Sequence, residues 1–185
     1  MIKSKKDLKE YIEADRKRNP STFNPLLRIL GLNTEAYMVR KLLYNLRMYE
    51  YYLNNQTSWF NKLSQKYYGW RYNRISFKMR IIIAPNTIGK GLHIAHWTEG
   101  IIVNCISMGE YCGITSGVIV GNKDNQTNRA IIGNNVHLMI GCKVIGKINI
   151  GNNVLIAPNA VVVKDVQDNT IVGGIPAKVI KQFIN

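Results

Sequence analysis

From residue 88 onward an aliphatic side chain returns every six residues. Ile132, Leu138, Val144, Ile150, Ile156 and Val162 hold this step without a slip, and upstream Ile88 and Ile94, then Ile102, Met108, Ile114 and Val120, hold it too. Glycine follows the aliphatic at Gly89, Gly109, Gly121, Gly133 and Gly151, and a small or β-branched residue closes the hexad at Cys112, Val118, Val136, Cys142, Val154 and Ala160. An internal repeat constrains the fold more than any single residue does. Three short strands per turn make one coil of a parallel β-helix, with one aliphatic per hexad facing inward. Glycine beside it leaves room for a corner that a Cβ would obstruct. One coil cannot bury its own aliphatics, so the unit is stable only as a stack. The spacing of an amphipathic helix is absent from this part of the chain.

The front is different. Residues 1–80 carry 17 Lys/Arg against 6 Asp/Glu, and the other 105 carry 8 against 5, so most of the net charge of +14 sits at the front. Fourteen of the 17 aromatic residues are there as well. The spacing predicts helices over residues 4–18, 34–53 and about 59–78. Asn33 or Thr34 is placed to cap the second, and Tyr37, Leu42, Leu43, Leu46 and Tyr49 form its apolar stripe. Pro20, Pro25 and Gly31 punctuate the stretch before it. On the third, Lys62, Lys66, Arg71, Arg74, Lys78 and Arg80 are expected to put positive charge outward, over an aromatic-rich packing side. The expected organisation is a basic, aromatic-rich helical region over 1–80. A β-helix domain over 81–185 follows it, with a loop at about 121–130 and a C-terminal tail.

Several classes of function fall away. There is no uninterrupted run of about 18 apolar residues to cross a membrane, and the charged N-terminus lacks the apolar centre of a signal peptide. Cys105, Cys112 and Cys142 stand singly, as reduced thiols filling a core rather than as disulfides or zinc ligands. The expected location is therefore the cytoplasm. The basic front allows contact with anionic lipid at the inner face of the membrane; without a recognised motif, nucleic acid is not an expected partner.

The six-residue step breaks in one place, in GLHIAHWTEGIIVN, where eight residues separate Ile94 from Ile102. His96, Trp97, Thr98 and Glu99 occupy the extra length. A second departure, the polar GNKDNQTNRA between Val120 and Ile132, keeps phase and reads as a loop leaving the coil. In so regular a fold, such departures are where a site can be built.

The stretches IAPNTIGKGLHIAHWTEGIIVN, ITSGVIVGN, NRAIIGNNV and NAVVVKDVQDNTIVGGIPAKVI resemble the hexapeptide-repeat acyltransferases, in their serine O-acetyltransferase branch and its relatives from capsule and lipopolysaccharide gene clusters. The resemblance implies a mainly β fold with a helical N-terminal region, the β-helix being parallel and left-handed. That hand is the family's, since crossover connections are ordinarily right-handed. It further implies acetyl-CoA as cosubstrate, no metal, a homotrimer, and His96 as the general base. Imidazole, with an ordinary pKa of about 6.5, accepts a proton near neutral pH.

Other roles follow from the same resemblance. Trp97 either roofs the acceptor pocket or packs between subunits, and His93 and Glu99 are candidate substrate contacts. Arg129 stands for one member of an Arg-His pair that holds serine in the family, the histidine being absent here. The pantetheine arm is expected along Met139, Ile140, Gly141, Cys142, Ala157 and Ala160, with Gly121 and Asn122 nearby and Lys164 and Lys178 facing the CoA phosphates. The family's aspartate that orients the base is missing, since the matching stretch is Ile81–Pro85. A backbone carbonyl, or failing that Glu99, is the expected substitute. With the clasping histidine gone, a sugar hydroxyl of a surface polysaccharide or its precursor is the expected acceptor, and L-serine the alternative. Two other classes share the fold, an inactive scaffold and a γ-carbonic-anhydrase-like metalloenzyme. His93, His96 and His137 lack the ligand spacing of the latter.

Overall fold

A computed structural model describes residues 1–21, 34–125 and 127–183. Pro25, Gly31 and Asn33 of the expected punctuation and cap lie outside the described residues, as does Gln126 of the polar loop.

Among the described residues, three helices precede the solenoid. Helix α1 (Lys5–Arg18) starts at a capping box in which Ser4 and Asp7 satisfy each other's backbone N–H, and ends on Arg16, Lys17 and Arg18. Helix α2 (Glu35–Asn54) is capped by Thr34 and buries Val39, Leu42, Leu43 and Leu46 along one face. Helix α3 (Trp59–Met79) is capped by Ser58 and stops at Arg80, whose left-handed backbone (φ 55°) turns the chain into the first strand.

The solenoid has three parallel faces. The first holds β1 (Ile81–Ile83), β3 (Ile101–Val103), β6 (Ile119–Gly121), β9 (Lys143–Ile145) and β12 (Val161–Val162). The second holds β4 (Ser107–Met108), β7 (Ile131–Ile132) and β10 (Asn149–Ile150). The third holds β2 (His93–Ala95), β5 (Gly113–Thr115), β8 (His137–Leu138), β11 (Leu155–Ile156) and β13 (Thr170–Gly174), and its edge is paired by the antiparallel β14 (Ala177–Gln182). Each of the five coils sends one residue inward from each face: Ile83, Ile88 and Ile94 from the first coil, down to Val162, Val166 and Val172 from the fifth, none more than 9% exposed. Burying such a column is the main stabilising term.

The corner glycines act by close approach. At the corner between the second and third faces, a Cβ on Gly133 would lie 2.7 Å from the Gly151 carbonyl oxygen, and Gly89 and Gly109 meet the next coil just as closely. Asparagines then take the left-handed positions at Asn135, Asn153 and Asn169.

The phase of one hexad differs from expectation. Ile101 and Val103 point inward and Ile102 is 41% exposed. Ile94 to Met108 still spans two more residues than a regular pair of hexads. The extra length is taken up as a 3-10 turn at Trp97–Glu99, so the residue of β3 that stacks in the inward column is Val103, in register with Ile83 and Val120.

The first coil leaves an open edge, and polar side chains from the helices satisfy it on every face. On the first face the Tyr72 hydroxyl donates to Ile83 O (2.6 Å) and accepts from Ile83 N (3.1 Å), while Ser76 donates to Ile81 O. On the second, Arg47 donates to Ile88 O (2.9 Å) and Gly89 O (2.7 Å), and Glu50 accepts from Asn86 N (2.8 Å). On the third, Asp15 accepts from Leu92 N (3.0 Å), and Asn19 accepts from Ile94 N (3.2 Å) and donates to Leu92 O (2.8 Å). Arg47, with a wholly buried side chain, binds Asp15 at 2.8 Å and Glu50 at 3.0 Å. Burial works against its charge, but Glu50 and Asp15 outweigh it and hold the guanidinium more firmly protonated than usual.

Arg47→Met strands two buried carboxylates and two carbonyls, and is expected to lower stability by about 3–5 kcal/mol. Lys9→Met, which breaks the exposed Lys9–Glu13 pair, leaves the unfolding midpoint unchanged. Urea unfolding followed by far-UV circular dichroism checks both.

Candidate active site

His96 stands at the corner between the third and first faces. In three later coils the corner position is Gly117, Gly141 or Asn159, all left-handed, and in the coil of His96 it is Gly100 (φ 84°). His96 is a further left-handed residue (φ 52°, ψ 48°), at the head of the inserted 3-10 turn, with no equivalent in those coils. A non-glycine residue held there stores of the order of 1–2 kcal/mol of strain, and such outliers gather at functional sites. Gly100 N closes the turn on Trp97 O at 3.0 Å, and Glu99 N donates to Ser116 Oγ at 2.8 Å. The His96 imidazole is thereby raised off the solenoid, with its side chain 80% exposed.

The carboxylate that reaches His96 comes from neither expected source. Glu35 Oε2 lies 3.7 Å from His96 Nδ1. Glu35 begins α2, where the helix dipole favours an acid. Glu99 instead turns toward Gly117, where a Cβ would lie 3.1 Å from its Oε2, and lines a cavity of about 300 Å³ with Phe77, Arg80, Ile82 and Ile102. No residue pattern in the front singles Glu35 out, since it lies 61 positions before His96 and meets it only through the fold.

Trp97 is partly buried against the core, and its Nε1 is enclosed without a partner among the described residues. His93 belongs to the outward column of the third face, paired in register with Gly113 and, beyond it, His137. It is less exposed than alternation alone implies, with Nδ1 buried and without a partner among the described residues. Arg18 of α1 donates to Tyr111 O nearby at 3.3 Å. Burial first, then the Arg18 and His93 charges, push the His137 imidazole below its usual range. Among the described residues no group of three His, Cys, Asp or Glu is placed to hold a metal ion.

The corner of His96 also carries Met139, Ile140, Gly141 and Cys142 in one coil and Ala157 to Ala160 in the next. The N–H groups of Met139, Gly141, Cys142, Ala157 and Ala160 all donate to carbonyls within the solenoid. Cys142 and Ala160 point into the core, and burial pushes the Cys142 thiol up to about 12. What the corner offers is carbonyls, the exposed Ile140 side chain and a cation. Lys143 donates to Gly117 O at 2.8 Å and Gly141 O at 2.7 Å. Lys143 was legible as an anomaly: it is the one charge in the outward column Ile82, Ile102, Ile119, Lys143, Val161.

The remaining expected residues lie elsewhere on the same chain. Arg129 and Asn122 sit at the corner between the first and second faces, joined through Asn104: Arg129 donates to Asn104 Oδ1 at 3.3 Å, and Asn104 donates to Asn122 Oδ1 at 3.4 Å. Gly121 ends β6 beside them, and Lys164 follows β12 at the same corner. Lys178 is exposed on β14. The first face thus separates Arg129 and Lys164 from His96 within one chain.

Comparison with known proteins agrees with this architecture. The family described as "Bacterial transferase hexapeptide (six repeats)" matches residues 129–164. The serine acetyltransferase of Buchnera aphidicola subsp. Schizaphis graminum is 30% identical over 185 aligned residues, covering 94% of this chain and 64% of that protein. The crystal structure of Neisseria gonorrhoeae serine acetyltransferase in complex with serine superposes with a TM-score of 0.63 at 26% identity, over 95% of this chain and 68% of that one. A serine acetyltransferase in complex with CoA shares the fold, with a TM-score of 0.63 at 23% identity over 95% of this chain and 68% of that one. The chain spans 39% to 64% of the length of the curated serine acetyltransferases it matches. In its five-coil hexad solenoid and its lengthened His96 corner, the chain is similar to the hexapeptide-repeat transferases, and among them to the serine acetyltransferases.

Proposed function

We propose that the protein is an acetyl-CoA-dependent O-acetyltransferase with His96 as general base and L-serine as its acceptor. The observation that carries the reaction is the His96 corner. There, a register break holds an exposed imidazole in a strained backbone, with a carboxylate 3.7 Å from Nδ1. L-serine, rather than the sugar hydroxyl expected from the sequence, is supported by the relatives, one of which is solved with serine.

Glu35 favours the tautomer with its proton on Nδ1, which leaves the Nε2 lone pair to take the acceptor's hydroxyl proton. The freed oxygen attacks the thioester carbonyl, and the carbon–sulfur bond of the tetrahedral intermediate breaks. The imidazolium returns the proton to the departing CoA sulfur, so neither charge nor atoms are left over. Lys143, close to the same corner, supplies positive charge beside the developing oxyanion. CoA, bound by a fold neighbour, runs along this corner past Ile140, with Lys164 or Lys178 meeting its phosphates. Arg129 lies across the first face from His96, so a single chain does not complete the site. A homotrimer, in which the Arg129 corner of one subunit approaches the His96 corner of the next, completes it.

A sugar acceptor remains the second reading because of one observation. The stretch matching the family's serine-holding Arg-His pair is Asn128-Arg129, which keeps one cation and has no histidine.

Thiol release from acetyl-CoA, followed with L-serine and separately with a panel of nucleotide sugars, tests the acceptor. Turnover with L-serine alone is expected, and turnover with a sugar alone reverses the assignment. His96→Ala is expected to lower kcat by about 100-fold to 10,000-fold while CoA still binds by calorimetry. Near-parental turnover in that variant removes the base. Glu35→Gln is expected to lower kcat about tenfold, with the KM values for both substrates within about twofold. Equal loss in KM and kcat would make Glu35 a structural residue only.

A further inference from the structure

Helix α3 is apolar on two opposite sides. Gly69, Tyr72, Ser76 and Met79 are buried against the protein, as a packing side should be. The other side was expected to be basic and solvated, with its aromatics turned inward. It instead exposes Trp59 (77%), Phe60 (57%), Leu63 (57%), Tyr67 (48%) and Trp70 (58%). At steps of three and four residues these fall on one outward stripe. Phe77 is exposed too, but it adjoins Ile82 and Ile102 and belongs with the apolar first face.

The charge on this stripe has one sign. Lys62 and Lys66 flank it on one side and Arg71 and Arg74 on the other, and no acidic residue occurs in the 21 residues of the helix. The cations are interleaved with the rings: the Arg71 guanidinium lies 5.5 Å from the centre of the Tyr67 ring, and that of Arg74 5.5 Å from the Trp70 ring. A contiguous apolar patch of this kind has a partner. A second copy meeting it across a two-fold axis would bring basic flanks together with no carboxylate on either stripe to neutralise them. An anionic lipid surface supplies both an apolar layer and negative charge, and Trp and Tyr are favoured at that depth. No helix among the described residues is long and apolar enough to cross a membrane, so contact would be with the surface.

We propose that the outer face of α3 docks on an anionic lipid surface. Trp59, Leu63 and Trp70 enter the boundary between headgroups and acyl chains, and Lys62, Lys66, Arg71 and Arg74 meet the lipid phosphates. The proposal is independent of the acetyl acceptor.

Flotation of the purified full chain with vesicles of phosphatidylcholine, and of phosphatidylcholine mixed with phosphatidylglycerol, tests it. Binding to the anionic vesicles and not to the neutral ones is expected, weakening as salt is raised. The triple variant Trp59→Ser, Leu63→Ser, Trp70→Ser is expected to lower partitioning about a hundredfold, with the far-UV spectrum and thermal midpoint of the parent. Lys62→Gln with Lys66→Gln is expected to lower it about tenfold or more. A parent that ignores anionic vesicles at low salt overturns the proposal, as does a triple variant that binds like the parent. So does light scattering in which the parent, unbound by vesicles, forms an oligomer that the triple variant loses, because the stripe is then a contact between copies.

Discussion

Everything in this molecule hangs on how the open end of the solenoid is closed. A stack of coils leaves a row of unpaired backbone donors and acceptors at each end, and a buried unpaired group costs roughly 1–3 kcal/mol. Here the first coil is finished by side chains in place of another strand: Tyr72 and Ser76 on one face, Arg47 and Glu50 on the next, Asp15 and Asn19 on the third. Arg47 joins the last two sets by binding both Asp15 and Glu50. A buried ion pair is by itself weak evidence of stability, because desolvation offsets most of the attraction. This one also satisfies backbone carbonyls that would otherwise be orphaned, so its contribution is to fix where the three helices sit.

That placement reaches the candidate chemistry. Arg47 and Glu35 stand on the same helix, twelve residues apart, which is roughly 18 Å of rigid rod at about 1.5 Å per residue. Seating Arg47 over Ile88 and Gly89 therefore fixes the other end of α2, and with it the Glu35 carboxylate beside His96. The carboxylate that lies 3.7 Å from His96 Nδ1 thus comes from the far side of the capping network. A helical front that looks from its sequence like a separate basic appendage is then part of the same device as the imidazole.

What the sequence makes legible follows from the range of the forces involved. The hexad step, the inward aliphatics, the core cysteines and the Thr34 cap are local patterns, and all can be read within a window of a few residues. The phase at Ile102 cannot, because two inserted residues may be spent on either side of a corner, and the choice depends on the hydrogen bond of Gly117 to Gly100 in the coil below. Asp15, Asn19 and Glu50 resemble any solvated polar residue on a helix until an open strand edge lies against them. The His96 corner was visible as a break in the period, but its backbone strain and its Glu35 partner were not. The N–H groups of Met139, Gly141, Cys142, Ala157 and Ala160 are engaged within the stack for a reason internal to the repeat. A solenoid uses those N–H groups to hold its own coils together.

The same logic explains why α3 carries an apolar stripe on the wrong side. Its inner face is committed to the edge of the first face through Tyr72 and Ser76, so it needs polar hydroxyls at positions an ordinary packed helix would fill with leucine. Its outer face is free of that duty, and a helix needing only to stay soluble would make it charged and small. Holding Trp59, Leu63 and Trp70 in water forfeits burial worth about 25 cal/mol for each Å² of apolar surface, a loss that no contact among the described residues offsets. An apolar face that costs stability in the isolated chain, framed by cations of a single sign, has its compensation outside the chain.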